Sequence, residues 1–195
     1  MTLPNQLTIL RIILTPIFFI LFLSDDPVLK QLSLVVFIIA ALSDWYDGWI
    51  ARKFNYVTDW GKFMDPLADK ILTSTAFIGL VFVGLLAWWM VLIIVVRDLV
   101  ITILRAYADK KGYMFVTSYY AKWKTFLQMV FLYYLLIFYI GSITPALSRF
   151  GNIFDVLLDD TLIYFVMLFI TIITVHTGII YFTKNKEVIK KLFAG

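Results

Sequence analysis

Six long apolar runs most constrain how this chain of 195 residues can fold. Crossing the hydrocarbon of a bilayer takes about 20 apolar residues in a helix. Such spans lie at residues 7–23, 32–50, 67–86, 88–106, 125–140 and 162–182. Hydrophobic residues make up 62% of the chain, and because soluble domains are nearer half apolar, the excess points to burial in a membrane. We therefore predict an all-α protein with six transmembrane helices in a single integral membrane domain over residues 1–195.

The distribution of basic residues predicts which side of the membrane each connection faces. If both termini are cytoplasmic, 15 of the 17 Lys and Arg residues lie on the cytoplasmic side, with Arg97, near mid-span, counted among them. Lys30 and Arg149 then lie outside. Since basic residues are enriched in cytoplasmic loops, we predict a multi-pass protein of the cell membrane with both termini inside.

Local signals predict features near and between the spans. The side chain of Asn5 is suited to capping the first helix. Residues 142–160, which include Pro145, are expected to form an external loop, and residues 184–193 a short basic helix at the membrane interface. His176 is the one histidine of the sequence, and we expect it to be a buried or interfacial structural residue.

Four aspartates carry the chemistry that the sequence predicts. Asp44 and Asp47 are three residues apart near the end of the second span, and Asp65 and Asp69 are four apart at the start of the third. Each spacing places a carboxylate pair on one helix face, and the short connection should bring the two pairs together at the cytoplasmic edge. Placing an ionised acidic residue at membrane depth costs free energy, and a bound cation would offset this cost. Oxygen ligands without cysteine favour a hard ion, so we expect two divalent ions, Mg²⁺ or Mn²⁺.

Two glycines and an arginine extend this group toward a phosphate ligand. Gly48 follows Asp47 directly, Gly61 precedes Asp65 by one turn, and Arg52 lies one turn after Gly48. Glycine permits close approach to the backbone, and the arginine fork suits a phosphate. A pyrophosphate held by metals, Arg52 and glycine backbone is therefore expected. Taken singly, the acidic pairs could instead form a solvated face, and the glycines could allow close helix packing.

The whole pattern from Asp44 to Asp69, Asp-x2-Asp-Gly-x2-Ala-Arg-x8-Gly-x3-Asp-x3-Asp, resembles the signature of CDP-alcohol phosphatidyltransferases. The resemblance implies a six-helix catalytic domain and a homodimer. It also implies roles for the signature residues: metal ligation by Asp44, Asp47 and Asp65, metal ligation or general base catalysis by Asp69, and contact with the CDP group by Gly48, Arg52 and Gly61.

A basic group further along the chain indicates how an acceptor alcohol could be held. Arg97 and Arg105 lie on the fourth span, and Lys122 and Lys124 lie just before the fifth. Charged residues within a span are functional candidates, and these four are candidates for binding an acceptor phosphate. Alternatively, Arg97 pairs with an aspartate of the site, and the two lysines anchor the helix.

Further resemblances concern the acceptor. Residues 4–11, 96–98 and 121–125 are similar to those of family members that use sn-glycerol 3-phosphate, although Glu would be expected at Asp98 and Gly at Ala121. This implies that Asn5 and Thr8 help to bind CDP-diacylglycerol, whose phosphatidyl group passes to sn-glycerol 3-phosphate with release of CMP. Synthesis of cardiolipin, phosphatidylserine or an inositol-phosphate lipid remains open within the family.

Two other classes of membrane protein also place carboxylates within helices. A membrane prenyltransferase uses aspartate pairs and Mg²⁺, but should have more spans and well-separated motifs. A cation transporter should show two related halves and a midplane site, whereas residues 127–138 are free of charge. Both remain alternatives outside the family.

Overall fold

The computed structural model describes residues 3–54, 59–116 and 119–194, without the side chains of residues 3–4, 44–54, 59, 62 and 193–194. Most of these residues are helical and none of them lies in a strand, which confirms the all-α class. The α-helices are α1 (Leu3–Leu23), α2 (Pro27–Phe54), α3 (Asp59–Phe82), α4 (Trp88–Lys110), α5 (Tyr119–Ser142), α6 (Gly151–Leu157), α7 (Asp160–Lys184) and α8 (Lys186–Ala194), with a 3-10 helix at Pro145–Phe150 before α6.

Three of these helices are long and apolar enough to cross a bilayer by length and composition, judged on the described residues. They are α1 from Asn5, α5 and α7, and the first part of α2, Pro27–Ser43, is a shorter apolar helix. Helices α3 and α4 fall outside this group because each carries a cluster of charged residues within it. Charged residues from both clusters belong to the candidate functional site.

Helix packing builds one aromatic-rich core. Helix α1 packs against α2 and α3, α3 against α4, and α7 against α4 and α5. Phe18 of α1 is fully buried, and its ring centroid lies 5.5 Å from that of Phe22 and 5.2 Å from that of Phe37 on α2. Where lipid competes with side chains for apolar contact, such close packing is what holds helices together.

A second, smaller cluster docks the C-terminal helix α8. Ala108, Phe115, Tyr181 and Leu192 form its buried centre. Asn185, which is 1% exposed, accepts a hydrogen bond from the Val116 N–H at 3.0 Å and donates one to the Val116 carbonyl at 3.3 Å. The end of α7, the start of α8 and the connection after α4 are thereby tied together.

Several local predictions are corrected by the helix bounds. Helix α1 begins at Leu3, so Asn5 lies inside its first turn rather than capping it. The segment predicted as an external loop, residues 142–160, contains the 3-10 helix and α6. The third helix stops at Phe82, before the predicted residue 86, because Gly84 adopts a φ of 85° that turns the chain toward α4. A helix in the basic tail is confirmed as α8.

Candidate active site

The second acidic pair lies on α3 beside the start of α1. Asp65 and Asp69 are one turn apart on this continuous helix, and both are half-buried. The fully buried Thr8 hydroxyl donates a hydrogen bond to Asp65 Oδ1, and Arg11 Nη1 lies 3.5 Å from the Asp65 carbonyl oxygen. Asp69 lies 3.6 Å from the neighbouring Lys70 ammonium. Helix α1 therefore helps to orient Asp65.

Burial changes the electrostatics of Asp65, which precedes the predicted third span. Desolvation raises the pKa of this carboxyl, and the Thr8 hydrogen bond and the Arg11 charge offset this only in part. A carboxylate in such surroundings gains from a nearby positive charge. The donor set thus fits a divalent cation with oxygen ligands.

The first acidic pair falls on helix α2. The surroundings of Asp44, Asp47, Gly48 and Arg52 lie outside the part of the chain whose side chains are described. Among the side chains that are described, no group of three metal-ligating residues occurs, because only two of the four predicted ligands are included. Gly61 is buried one turn before Asp65. The four-aspartate metal site remains a prediction.

A cavity of about 850 Å³ opens beside this end of α3. Pro66 and Lys70, which follow Asp65 and Asp69 directly in the sequence, form part of its wall. Four basic side chains, Lys70, Arg97, Arg105 and Lys122, and two acidic ones, Asp98 and Asp109, line it. The excess of basic groups favours an anionic ligand next to the acidic pair.

A buried polar network joins α4, α5 and α7 at the edge of this cavity. Asp98 Oδ1 accepts hydrogen bonds from Lys124 Nζ at 2.7 Å and from Arg97 Nη1 at 3.0 Å. Arg97 Nη2 also donates to the Thr177 hydroxyl at 3.0 Å. The Lys124 side chain is 0% exposed, so its ammonium is held by this carboxylate rather than by solvent.

The four candidates for an acceptor phosphate thus have different surroundings. Arg97, Arg105 and Lys122 line the cavity, and Arg105 and Lys122 are exposed. Lys124 is absent from the cavity lining and pairs with Asp98. Arg97 pairs with Asp98, whereas the alternative expectation named an aspartate of the acidic signature as its partner.

Some lining residues were not singled out from the sequence. Lys70 lines the cavity and directly follows the predicted ligand Asp69 in the sequence, and this adjacency is the signal that could have identified it. Tyr181 lies near the end of α7 and lines the same cavity, with no motif to indicate it. His176 is exposed, rather than buried, and its ring packs edge-on to Tyr120 at 5.7 Å.

Acidic ligands for a hard cation, a cavity with excess positive charge and several apolar helices are together typical of membrane proteins that handle phosphorylated substrates. Within that class, the chain belongs to the CDP-alcohol phosphatidyltransferase family. The family's sequence model matches residues 1–148, which include the acidic signature and most of the basic cavity.

Curated relatives extend the similarity over nearly the whole chain. A CDP-diacylglycerol–glycerol-3-phosphate 3-phosphatidyltransferase of Bacillus subtilis is 36% identical over 96% of this chain and 97% of its own length. One from Rickettsia bellii, with the same name, is 35% identical over 95% of this chain and 96% of its own. A probable phosphatidylglycerophosphate synthase of Mycobacterium tuberculosis is 35% identical over 66% of this chain and 62% of its own.

Proposed function

We propose that this protein transfers the phosphatidyl group of CDP-diacylglycerol to sn-glycerol 3-phosphate, giving phosphatidylglycerol phosphate and CMP. The observation that carries this proposal is the shared wall of the acidic and basic parts of the site. Pro66 and Lys70 belong to the aspartate-bearing turn of α3 and also line the basic cavity. An anionic acceptor bound there would lie next to the groups that activate it. The names of the relatives support the same reaction.

In the proposed reaction, the acceptor hydroxyl oxygen forms a bond to the lipid-side phosphorus of CDP-diacylglycerol. The bond from that phosphorus to the bridging oxygen breaks, and CMP leaves with the electron pair. Asp69 takes the proton from the attacking hydroxyl as general base. Its half-buried position suits this role, because part of the carboxylate stays accessible to the acceptor, with the Lys70 ammonium 3.6 Å away.

Asp44, Asp47, Asp65 and Asp69 would hold two divalent ions, Mg²⁺ or Mn²⁺. When bound, such ions neutralise charge on the transferred phosphate and on the leaving CMP. Thr8 and Arg11 prepare the α3 side of this site by fixing Asp65 against α1. Asn5, Thr8, Gly48, Arg52 and Gly61 would contact CDP-diacylglycerol.

The phosphate of the acceptor would be held by the basic residues of the cavity. Arg105 and Lys122 are exposed to it, and Lys70 approaches it from α3. Arg97 contributes charge, although its Nη1 and Nη2 already donate hydrogen bonds to Asp98 and Thr177. Lys124, by contrast, would neutralise Asp98 and so leave the charge of Arg97 available to the ligand.

The membrane arrangement follows from the charge distribution of the sequence. Six spans, cytoplasmic termini and an active site at the cytoplasmic face of the cell membrane would bring both the lipid substrate and a soluble acceptor to one site. A homodimer stays a prediction of the family resemblance.

The test is an acceptor-resolved assay of the purified protein in detergent with CDP-diacylglycerol and Mg²⁺. We expect release of CMP with sn-glycerol 3-phosphate, and much less with serine, inositol phosphate or phosphatidylglycerol. Asp69→Asn should lower kcat by about 10²- to 10⁴-fold, as for loss of a general base. The matched control, Asp155→Asn, changes an exposed acid on α6 and should leave the rate unchanged. No CMP release with sn-glycerol 3-phosphate would refute the proposed acceptor.

A further inference from the structure

Buried polar atoms without a partner gather around the basic cavity. Among the described residues, Arg97 Nε, Asp98 Oδ2, the Tyr181 hydroxyl and Gln128 Oε1 are buried without a hydrogen-bond partner, and the first three belong to residues that line this cavity. A buried polar group without a partner costs free energy, and such groups are therefore rare in folded proteins. Their concentration at one place indicates a site that a polar ligand completes.

Tyr181 is the member of this group that the proposed reaction does not yet use. It is 6% exposed, and its ring stacks on that of Phe115 with centroids 5.3 Å apart. The same residue lines the cavity together with Arg97, Arg105 and Asp109. The ring is thus fixed by packing in the small cluster beside α8, while the residue also forms part of the wall of the charged cavity.

We propose that Tyr181 is an acceptor-binding residue whose hydroxyl donates a hydrogen bond to the phosphate group of the bound acceptor. This inference rests on the proposed function and adds a contact from α7 to a pocket otherwise built by α3, α4 and α5. A phosphate offers only acceptor oxygens, and the phenol is a neutral donor among cationic ones. The hydroxyl would complete a fixed set of donors around the phosphate, whereas flexible lysines alone would hold it loosely.

The critical variant is Tyr181→Phe, because it removes the hydroxyl and keeps the ring that packs on Phe115. A hydrogen bond to a charged group is worth enough to predict a rise of about tenfold or more in KM for sn-glycerol 3-phosphate. The KM for CDP-diacylglycerol should stay within twofold. The control, Tyr164→Phe, removes an exposed hydroxyl from the same helix and should change neither constant.

Thermal unfolding of the detergent-purified protein separates binding from structure. Without ligand, Tyr181→Phe should unfold at or above the wild-type temperature, since the hydroxyl that it loses has no partner among the described residues. Stabilisation by inorganic phosphate and by sn-glycerol 3-phosphate should each need about ten times more ligand in Tyr181→Phe than in wild type. If Tyr181→Phe needs more sn-glycerol 3-phosphate for stabilisation but no more inorganic phosphate, the hydroxyl contacts a glycerol hydroxyl. That result would overturn the phosphate assignment.

The outcomes also separate this inference from the proposed reaction. If wild type releases no CMP with sn-glycerol 3-phosphate, the proposed function fails, and the phosphate titration still tests Tyr181. If wild type is active and Tyr181→Phe keeps the wild-type KM and phosphate stabilisation, the role assigned to Tyr181 is wrong. An equal rise in KM for both substrates with a lower unfolding temperature would show a structural role and would also overturn it.

Discussion

Two lysines at the start of α5, Lys122 and Lys124, lie within one helical turn but have different surroundings. Lys122 is exposed and lines the cavity, whereas Lys124 is buried and pairs with Asp98 at 2.7 Å. Residues two positions apart lie on nearly opposite sides of a helix. A single sequence motif therefore serves both the cavity and the interior.

Replacing either lysine with methionine should give opposite results. Lys124→Met leaves Asp98 buried with Arg97 as its remaining described cation, and should lower the free energy of unfolding by about 3 kcal/mol. Lys122→Met should leave stability unchanged and raise KM for sn-glycerol 3-phosphate several-fold. Denaturation of the purified variants and acceptor titrations check both. A higher KM at full stability in Lys124→Met would instead support direct phosphate binding by Lys124.

The carboxylate of Asp65, a predicted metal ligand, is expected to lower the stability of the metal-free protein. Because desolvation raises the pKa of Asp65, the ionised form is disfavoured in the folded protein without metal. Asp65→Asn removes this charge and keeps an oxygen that can accept the Thr8 hydrogen bond. In chelated buffer, the variant should therefore unfold at a higher temperature than wild type, and added Mg²⁺ should stabilise it less. A lower unfolding temperature in chelator would contradict this reasoning.

At the scale of elements, helix α8 packs against the cluster that contains Tyr181, a residue of the cavity wall. Asn185 bonds both backbone groups of Val116, and Lys111 Nζ donates to the Leu192 carbonyl at 3.1 Å. Tyr181, within the same cluster, lines the cavity. The tail is therefore packed against a residue of the cavity wall and is not simply a basic anchor.

Removing the amide of Asn185 should loosen this support. Asn185→Leu leaves the Val116 N–H without its described partner and should cost about 1 to 3 kcal/mol. Hydrogen exchange in α8 should become faster than in wild type, with little change in α1. Lys190→Gln, an exposed change on the same helix, is the control. Unchanged exchange in Asn185→Leu would mean that the apolar contacts of Leu192 dock α8 without this residue.

At the scale of the whole molecule, the arrangement in the membrane is open to direct measurement because the chain has no cysteine. Ser148 and Lys190 are both exposed, and the charge distribution predicts that they lie on opposite sides of the membrane. A single cysteine introduced at each position tests this prediction. In intact cells, a membrane-impermeant maleimide should label Ser148→Cys, and should label Lys190→Cys only after permeabilisation. The unlabelled cysteine-free protein is the control. Labelling of both sites in intact cells would contradict the predicted orientation.

Much of the helical framework could be predicted from sequence, because apolar runs of sufficient length form helices wherever they are buried. The predictions were least accurate at the ends, as at Asn5, Gly84 and residues 142–160, where single turns and caps decide the outcome. The acidic signature could be recognised because all its residues lie within one short stretch. Tyr181 could not be recognised from the sequence. Its ring stacks on Phe115 and it lines the same cavity as Arg97, and both of these residues are more than 60 positions away along the chain.

Composition and short, regular spacing along the chain are sufficient to predict the helical class, the family and the carboxylate pairs. The contacts between distant helices could be found only in the folded protein: Asp98 holds Lys124, and Lys70 and Tyr181 line one basic cavity. These contacts depend on which faces of α3, α4, α5 and α7 meet. That choice is made by packing between distant segments, which periodicity within any one helix does not specify.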